Sequence, residues 1–300
     1  MKPENQLRHK WAAGWIERIN ASKYNGLFKQ LWYAFSTLRY HFVCFIGVLT
    51  GRHKPGKEDA AMVASQVTFI YKSFERQRMA TKLYSCIPKY YPGAKVIIAD
   101  DSKIPLALNE PYVEVIHLPF NSGLSKGLNC ALERVKTSFV VRMDDDLLLT
   151  PYTRFEKQLQ FLNQHPEVDL VTVQMCTFPL LRSPKKESRK YSNMAIHSIR
   201  KELKVPHMTQ LDKSHYVVGK APNVFLARTE PYREIGYDDN IHMFDHHEFF
   251  YRAAGRLVSV MDVSACVFHN HNRFDRHYEG YRWTAREDMV YIKNKHRMHS

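Results

Sequence analysis

The chain has 300 residues, 44% hydrophobic and 25% charged, which excludes intrinsic disorder and leaves room for one large domain or two modest ones. Forty-four Lys and Arg against 30 Asp and Glu leave a net charge of +14, which favours an anionic partner such as nucleic acid, anionic lipid or a phosphorylated small molecule without choosing among them. Five cysteines, never in C-x-x-C spacing, argue against a disulfide framework or a cysteine zinc site and point to a reducing, cytoplasmic compartment.

Charged and polar residues interrupt the first thirty positions, so no compact apolar signal-peptide core is present there. The most apolar stretch, 31–49, contains Arg39 and His41, and its uninterrupted part falls well short of the roughly 20 residues a membrane span needs. The segment mixes Phe28, Trp32, Tyr33, Phe35, Tyr40, Phe42 and Phe45 with Lys23, Lys29, Arg39, Arg52, Lys54 and Lys57. It fits either a helix packed on the main domain or one lying in a membrane interface, with peripheral inner-face contact through residues 27–57. Residues 51–60 carry Gly, Pro and charge and read as a linker. The expected organisation is an N-terminal amphipathic helical segment with linker over 1–60 and an α/β domain over 61–300.

From residue 67 the pattern alternates. Val67 to Tyr71 predicts a strand and 75–90 a helix through Met79, Leu83 and Ile87. The apolar run Ala94 to Ala99 predicts a strand buried on both faces. Val113 to Leu118 is a third strand, 123–135 a helix and Ser138 to Met143 a fourth strand. Strands separated by helices imply βαβ units and a mostly parallel, Rossmann-like sheet flanked by helices. Further on, 257–261 and 265–268 read as two strands.

Two strand ends carry acids: Asp100 and Asp101 after the second strand, and Asp144, Asp145 and Asp146 after the fourth. Ligands of open α/β sheets bind beyond these ends. A solvated acidic turn is the bland alternative. Three adjacent carboxylates repel one another unless a cation offsets them. Mg²⁺ or Mn²⁺ on a nucleotide diphosphate needs only one or two protein carboxylates. Asp144 and Asp146 point the same way from an extended segment, one able to face a ribose and the other a metal.

The ordered segments VTFIYKSFERQRM, AKVIIADDS, LPFNSGLSKGLNCALERVKTSFVVRMDDDLLLTP and APNVFLARTEPYREIGYDDNIHMFDHHEFFYR resemble GT-A glycosyltransferases of the family 2 type. They are most similar to the β-1,4-N-acetylgalactosaminyltransferase domain of ganglioside-type enzymes. The resemblance spans about residues 65–272. It implies a GT-A domain over 61–300 that moves N-acetylgalactosamine or a related sugar from a UDP-sugar to a saccharide or glycolipid acceptor, with inversion and with Mn²⁺ or Mg²⁺. It also implies nucleotide-sugar contacts from Lys72, Phe74, Glu75, Arg76, Asp100, Asp101, Asn121, Gly123, Lys126, Asn129, Asp144 and Asp145. Gly123 and Gly127 fit turn and packing roles equally well.

By the same resemblance the catalytic base lies in Asp245-His246-His247-Glu248. His246, Glu248 and Asp245 are all candidates, and a neutral imidazole suits a base near neutral pH. Asp245 also reads as a helix cap. Asp144 and Asp146 are expected on the metal, completed by His269 or His271. The basic stretch 180–220 reads as an acceptor loop, a glycolipid-facing surface or a solvated face, and the tail from Arg273 as a cover for the diphosphate. Two other classes stand against the transferase. Nucleotidyl transfer also uses paired aspartates, but no GxxxxGK[ST] loop occurs. A non-enzymatic basic protein binding membrane or nucleic acid leaves the strand-end acids unexplained, and no nucleic-acid partner is expected.

Overall fold

A run of β-branched and apolar residues is stable as a strand when helices cover both its faces. The computed structural model describes residues 14–176, 202–281 and 285–296. Among these residues the strands are Val67–Ser73 (β1), Lys95–Asp100 (β2), Val113–His117 (β3), Phe139–Arg142 (β4), Leu147–Leu148 (β5), Leu170–Cys176 (β6), His215–Val217 (β7), Phe225–Arg228 (β8) and Ser259–His269 (β9). They form one sheet in the order β3-β2-β1-β4-β8-β6-β9-β5, with β7 also paired to β9. The helices are Asn25–Leu49 (α1), Lys57–Gln66 (α2), Gln77–Cys86 (α3), Leu124–Arg134 (α4), Phe155–Gln164 (α5), Thr229–Ile235 (α6), Asp245–Ala253 (α7), Arg276–Gly280 (α8) and Ala285–Lys295 (α9).

β3, β2, β1 and β4 run parallel. β8 turns antiparallel to β4 and β6, and β9 runs parallel to β6 but antiparallel to β5 and β7. The α/β class expected from the sequence therefore holds, with one parallel half and one mixed half. Alternation along the central strands feeds two cores. Phe69, Tyr71, Val96, Ile98 and Val141 share a cluster with Val63 of α2, Leu83 of α3 and Phe155 of α5. Ile70, Ile97, Ala99 and Val140 share another with Leu128 of α4, Tyr232 of α6 and Phe249 of α7. Each such fully buried large side chain contributes about 1.5–3 kcal/mol.

Two local readings change. Residues 57–60 are not linker but the first turn of α2, where Glu58 and Asp59 complement the helix dipole. The two strands expected over 257–268 are one, β9. The break between them is an irregularity in which Val173 pairs with Asp262 and Gln174 already with Cys266. The Asp262 carboxylate accepts the Ser264 N–H at 2.8 Å and its hydroxyl at 2.7 Å, which stabilises the bulge.

α1 packs on the domain through Tyr33, Ser36, Val43 and Gly47. Gly47 is needed there, because a Cβ would stand 2.9 Å from that of Pro151. The Trp32 indole N–H donates to the His271 carbonyl at 2.8 Å and the Lys29 ammonium pairs with Asp275 at 2.8 Å. Among the described residues no helix is long and apolar enough to cross a membrane. Most of the basic 180–220 stretch, Trp283 and the last residues of the tail lie outside the described residues.

Candidate active site

The ends of β1, β4 and β9 and the start of α7 surround a cavity of about 550 Å³, a size typical of small-molecule sites. Of the residues singled out from sequence, Lys72, Phe74 and Arg76 line it from the end of β1 and the segment that follows. Asn121 and Gly123 line it from the turn before α4, and Asp144, Asp145 and Asp146 from the turn after β4. His246 lines it from α7, and His269 and His271 from the end of β9. The turn before α4 is built for close approach. Asn121 and Gly123 both take positive φ, and a Cβ on Gly123 would meet the His242 ring at 3.0 Å. Gly127 packs against the stem of Lys72, whose Cγ would lie 2.8 Å from an added Cβ.

The three aspartates divide into different environments. Arg76, buried beneath Tyr278 with its guanidinium 3.8 Å from the ring centroid, pairs with Asp145 and reaches Asp146 at 3.3 Å. Burial pushes the Asp145 carboxyl above its ordinary value against the pull of Arg76. Asp146 is buried too, yet Arg76 and hydrogen bonds from His269 and His271 hold it well below its ordinary value. Asp144 stands apart, on the Arg142 guanidinium at 2.6 Å. Arg142 is fully buried in β4 and also reaches the Asn223 carbonyl at 2.7 Å and Asp245 at 3.4 Å. Burial works against its charge, but Asp144 and Asp245 overcome that cost.

Asp146 lies 3.6 Å from His269 Nε2 and 3.4 Å from His271 Nδ1. One ligand atom from each falls within 4.8 Å of the others. A carboxylate oxygen with two imidazole nitrogens is a donor set that fits Mn²⁺ or a similar divalent ion. Burial opposes protonation of His269, yet Asp146 raises its pKa, a sign of the negative potential a cation would meet. Asp144, expected on the metal, is not part of this trio.

His246, which lines the same cavity, is the candidate base. Burial first, then Lys220, His247 and Arg142, pull its pKa well below the ordinary histidine value, so at neutral pH it is unprotonated and able to accept a proton. Lys220 also lines the cavity. Burial lowers its pKa to about 8, and its ammonium stands 2.9 Å from His247 Nδ1.

The remaining sequence candidates do not line the cavity. Asp101 accepts from the Lys72 ammonium at 2.7 Å and the Gly123 N–H at 3.1 Å. Asp100 accepts the Ser102 hydroxyl and the Leu106 N–H, both at 2.7 Å. Glu75, at φ 54, accepts the Lys103 N–H at 2.7 Å and pairs with His277 at 2.6 Å. Lys126 is exposed, and Asn129 ties α4 to the Tyr237 backbone and to Asp239. Asp245 is buried on Arg142, where desolvation pushes its carboxyl up to about 7. It is the first residue of α7 and makes no side-chain cap; Asp288 of α9 instead accepts the N–H groups of His242, Met243 and Phe244 at 2.5–3.2 Å. Glu248 is fully buried and accepts from Arg252, Lys295 and His296 at 2.8, 2.9 and 3.0 Å.

Sequence reasoning missed Lys220, His242, the buried Arg142 link and the Asp288 cap. Lys220 sits in VVGKAPN, which carries no motif, and Asp288 meets its partners only after the chain returns from some 45 residues away. The aromatic edge of the site is Phe74, tilted against Phe120 and edge-to-face with Tyr281 at centroid distances of 5.6 and 5.0 Å.

The family model described as glycosyl transferase family 2 matches residues 67–236. The β-1,4 N-acetylgalactosaminyltransferase 2 of Mus musculus is 34% identical over 230 residues, 73% of this chain and 41% of that protein. The human β-1,4 N-acetylgalactosaminyltransferase 1 is 32% identical over 210 residues, 67% of this chain and 38% of that protein. The chain thus spans about two fifths of the length of these relatives. Among solved structures, the mannosyltransferase PcManGT of Pyrobaculum calidifontis, in complex with GDP-Man and Mn²⁺, matches with TM-score 0.52 at 13% identity, over 91% of this chain and 76% of that one. S. aureus TarS 1–349 in complex with UDP matches with TM-score 0.50 at 14% identity, over 68% of this chain and 60% of that one. These likenesses show the shared GT-A fold.

Proposed function

The chain belongs to glycosyl transferase family 2, and from that premise we propose that it is a metal-dependent inverting transferase. It moves N-acetylgalactosamine or a related hexosamine or hexose from a UDP-sugar to a saccharide acceptor, in surface glycan or glycolipid synthesis. Contact of residues 27–57 with a membrane surface belongs to the same reading. The observation that carries it is the convergence of Asp146, His269 and His271 in the same cavity that His246 lines. The N-acetylgalactosaminyltransferase relatives support the donor sugar, and the Mn²⁺ in the mannosyltransferase complex supports the metal.

In this reading Asp146, His269 and His271 hold the divalent ion. When bound, the ion neutralises charge developing on the departing diphosphate. Arg76 adds a fixed positive charge beside the same acids, and Asp144 faces the ribose. Phe74, with Tyr281, offers aromatic surface to the base. The acceptor oxygen attacks the anomeric carbon as the bond to the UDP oxygen breaks on the opposite face. The acceptor proton passes to His246, which contributes about 10²–10⁴ in rate as a positioned base. Glu248, held by Arg252, Lys295 and His296, anchors α9 rather than touching the acceptor. Nucleotidyl transfer would leave His246 of α7 without a role.

The test is a panel of UDP-sugars with Mn²⁺, Mg²⁺ or EDTA, read by UDP release and thermal shift. Release from UDP-N-acetylgalactosamine or a related UDP-hexose that EDTA abolishes is expected. Stabilisation by a GDP- or CMP-sugar alone overturns the donor assignment.

A further inference from the structure

A helix packed on a domain normally buries its apolar stripe. α1 does the reverse. Its inner face is closed by Tyr33, Ser36, Val43 and Gly47, while Leu27, Leu31, Phe35, Leu38, Phe45 and Leu49 are 50–68% exposed. At 100° per residue these six fall within about 80° of arc, a stripe about 33 Å long. A monomeric protein rarely leaves so continuous an apolar patch in water.

The surroundings identify what covers it. Residues 18–57 contain seven Lys and Arg and no Asp or Glu. Arg18 and Lys23 are exposed beyond one end of the stripe and Lys54 and Lys57 beyond the other. Trp15 and Tyr24, 57% and 55% exposed, stand at the N-terminal border, where amphipathic rings favour a lipid headgroup level. α1 cannot cross a bilayer. Two copies packed stripe to stripe would bring like charges together at both ends, whereas lipid phosphates complement them.

We propose that α1 lies in the plane of an anionic bilayer interface, its outer stripe among the acyl chains and its basic ends on lipid phosphates. The opposite face of the same helix holds the cavity's edge, through Trp32 on the His271 carbonyl and Lys29 on Asp275. The lipid-facing surface and a residue of the candidate metal site thus share one rigid contact. The consequence for the substrate rests on the glycosyl-transfer reading: the acceptor class is a saccharide borne on a lipid in that same membrane.

The test uses the full chain with vesicles of phosphatidylcholine alone and of phosphatidylcholine mixed with phosphatidylglycerol, read by co-sedimentation. Binding to the mixed vesicles, weakened by salt, is expected. Leu31→Glu/Leu38→Glu/Phe45→Glu lowers it by about tenfold or more, and Lys23→Glu/Lys54→Glu lowers it through charge alone. Both variants keep the thermal shift with UDP and Mn²⁺, so loss of vesicle binding and loss of nucleotide binding are separable. The milder Leu31→Ser/Leu38→Ser serves if the triple variant misfolds. The proposal fails if wild type ignores the mixed vesicles, if a folded apolar-stripe variant binds them equally well, or if ultracentrifugation shows a dimer that those substitutions split.

Discussion

Replacing Glu248 by Gln separates two roles that sequence left open, base and anchor. The carboxylate is fully buried and accepts from Arg252 at 2.8 Å, Lys295 at 2.9 Å and His296 at 3.0 Å. Gln keeps the shape but turns an amide NH₂ toward these donors. A hydrogen bond to a charged group contributes about 1.5–3 kcal/mol, and breaking a buried pair costs about 3–5 kcal/mol. The partners are partly reached by water, with side chains 21%, 32% and 12% exposed, so a net loss of about 2–4 kcal/mol is expected. At about 2–4 °C per kcal/mol for a chain of this size, Tm falls by roughly 4–16 °C. The pH dependence has a definite sign. Although burial raises the carboxyl, Lys295 and Arg252 depress it below its ordinary value. Its stabilisation is therefore present above about pH 4.3, the unfolded value, and is lost as pH falls through the lower folded value. The gap between wild type and Glu248→Gln should narrow below that pH in thermal unfolding. Turnover per folded molecule stays within about threefold, whereas loss of a base costs about 10²–10⁴. An unchanged Tm with collapsed kcat would refute the anchor role.

His246→Ala should lower kcat by about 10²–10⁴ with little change in Tm. Burial and Lys220 keep the wild-type imidazole below its ordinary pKa, so the acid limb of kcat/KM should fall below pH ~6.5; a limb at or above that value contradicts the assignment. Gly127→Ala puts a Cβ 2.8 Å from Lys72 Cγ and should cost about 1–3 kcal/mol in denaturant unfolding while weakening nucleotide stabilisation, because Lys72 is held on Asp101.

The parallel half of the sheet was legible because its strands need no partner to be recognised. The continuous apolar run before Asp100 has only one stable placement, between two helical layers, and β2 is buried along all but its first residue. The acids after β4 stood out for the same reason: a charge cluster immediately follows a run that must be buried. What sequence spacing could not carry is the choice among nearby polar groups. Asp144 and Asp146 look equivalent on alternate positions, but buried Arg142 claims one and the end of β9 the other. Glu248 stands as a catalytic candidate in the sequence because Lys295 and His296 reach it only from α9 and the residue just after it. The linker reading failed at Lys57 because Gly and Pro at 55–56 end just before good helix formers begin. α1 was ambiguous because its aromatics serve both faces: Tyr33 is buried while Phe35, two positions on, is 50% exposed.

The central claim is that Asp146, His269 and His271 hold the divalent ion at the nucleotide-sugar site. Electron paramagnetic resonance on Mn²⁺ titrated into the protein with UDP tests it most directly. The expected result is ¹⁴N coupling from imidazole ligands that disappears in His269→Ala/His271→Ala, with Mn²⁺ affinity lost in Asp146→Asn. Tight Mn²⁺ binding without nitrogen coupling, or unchanged by Asp146→Asn, would contradict it.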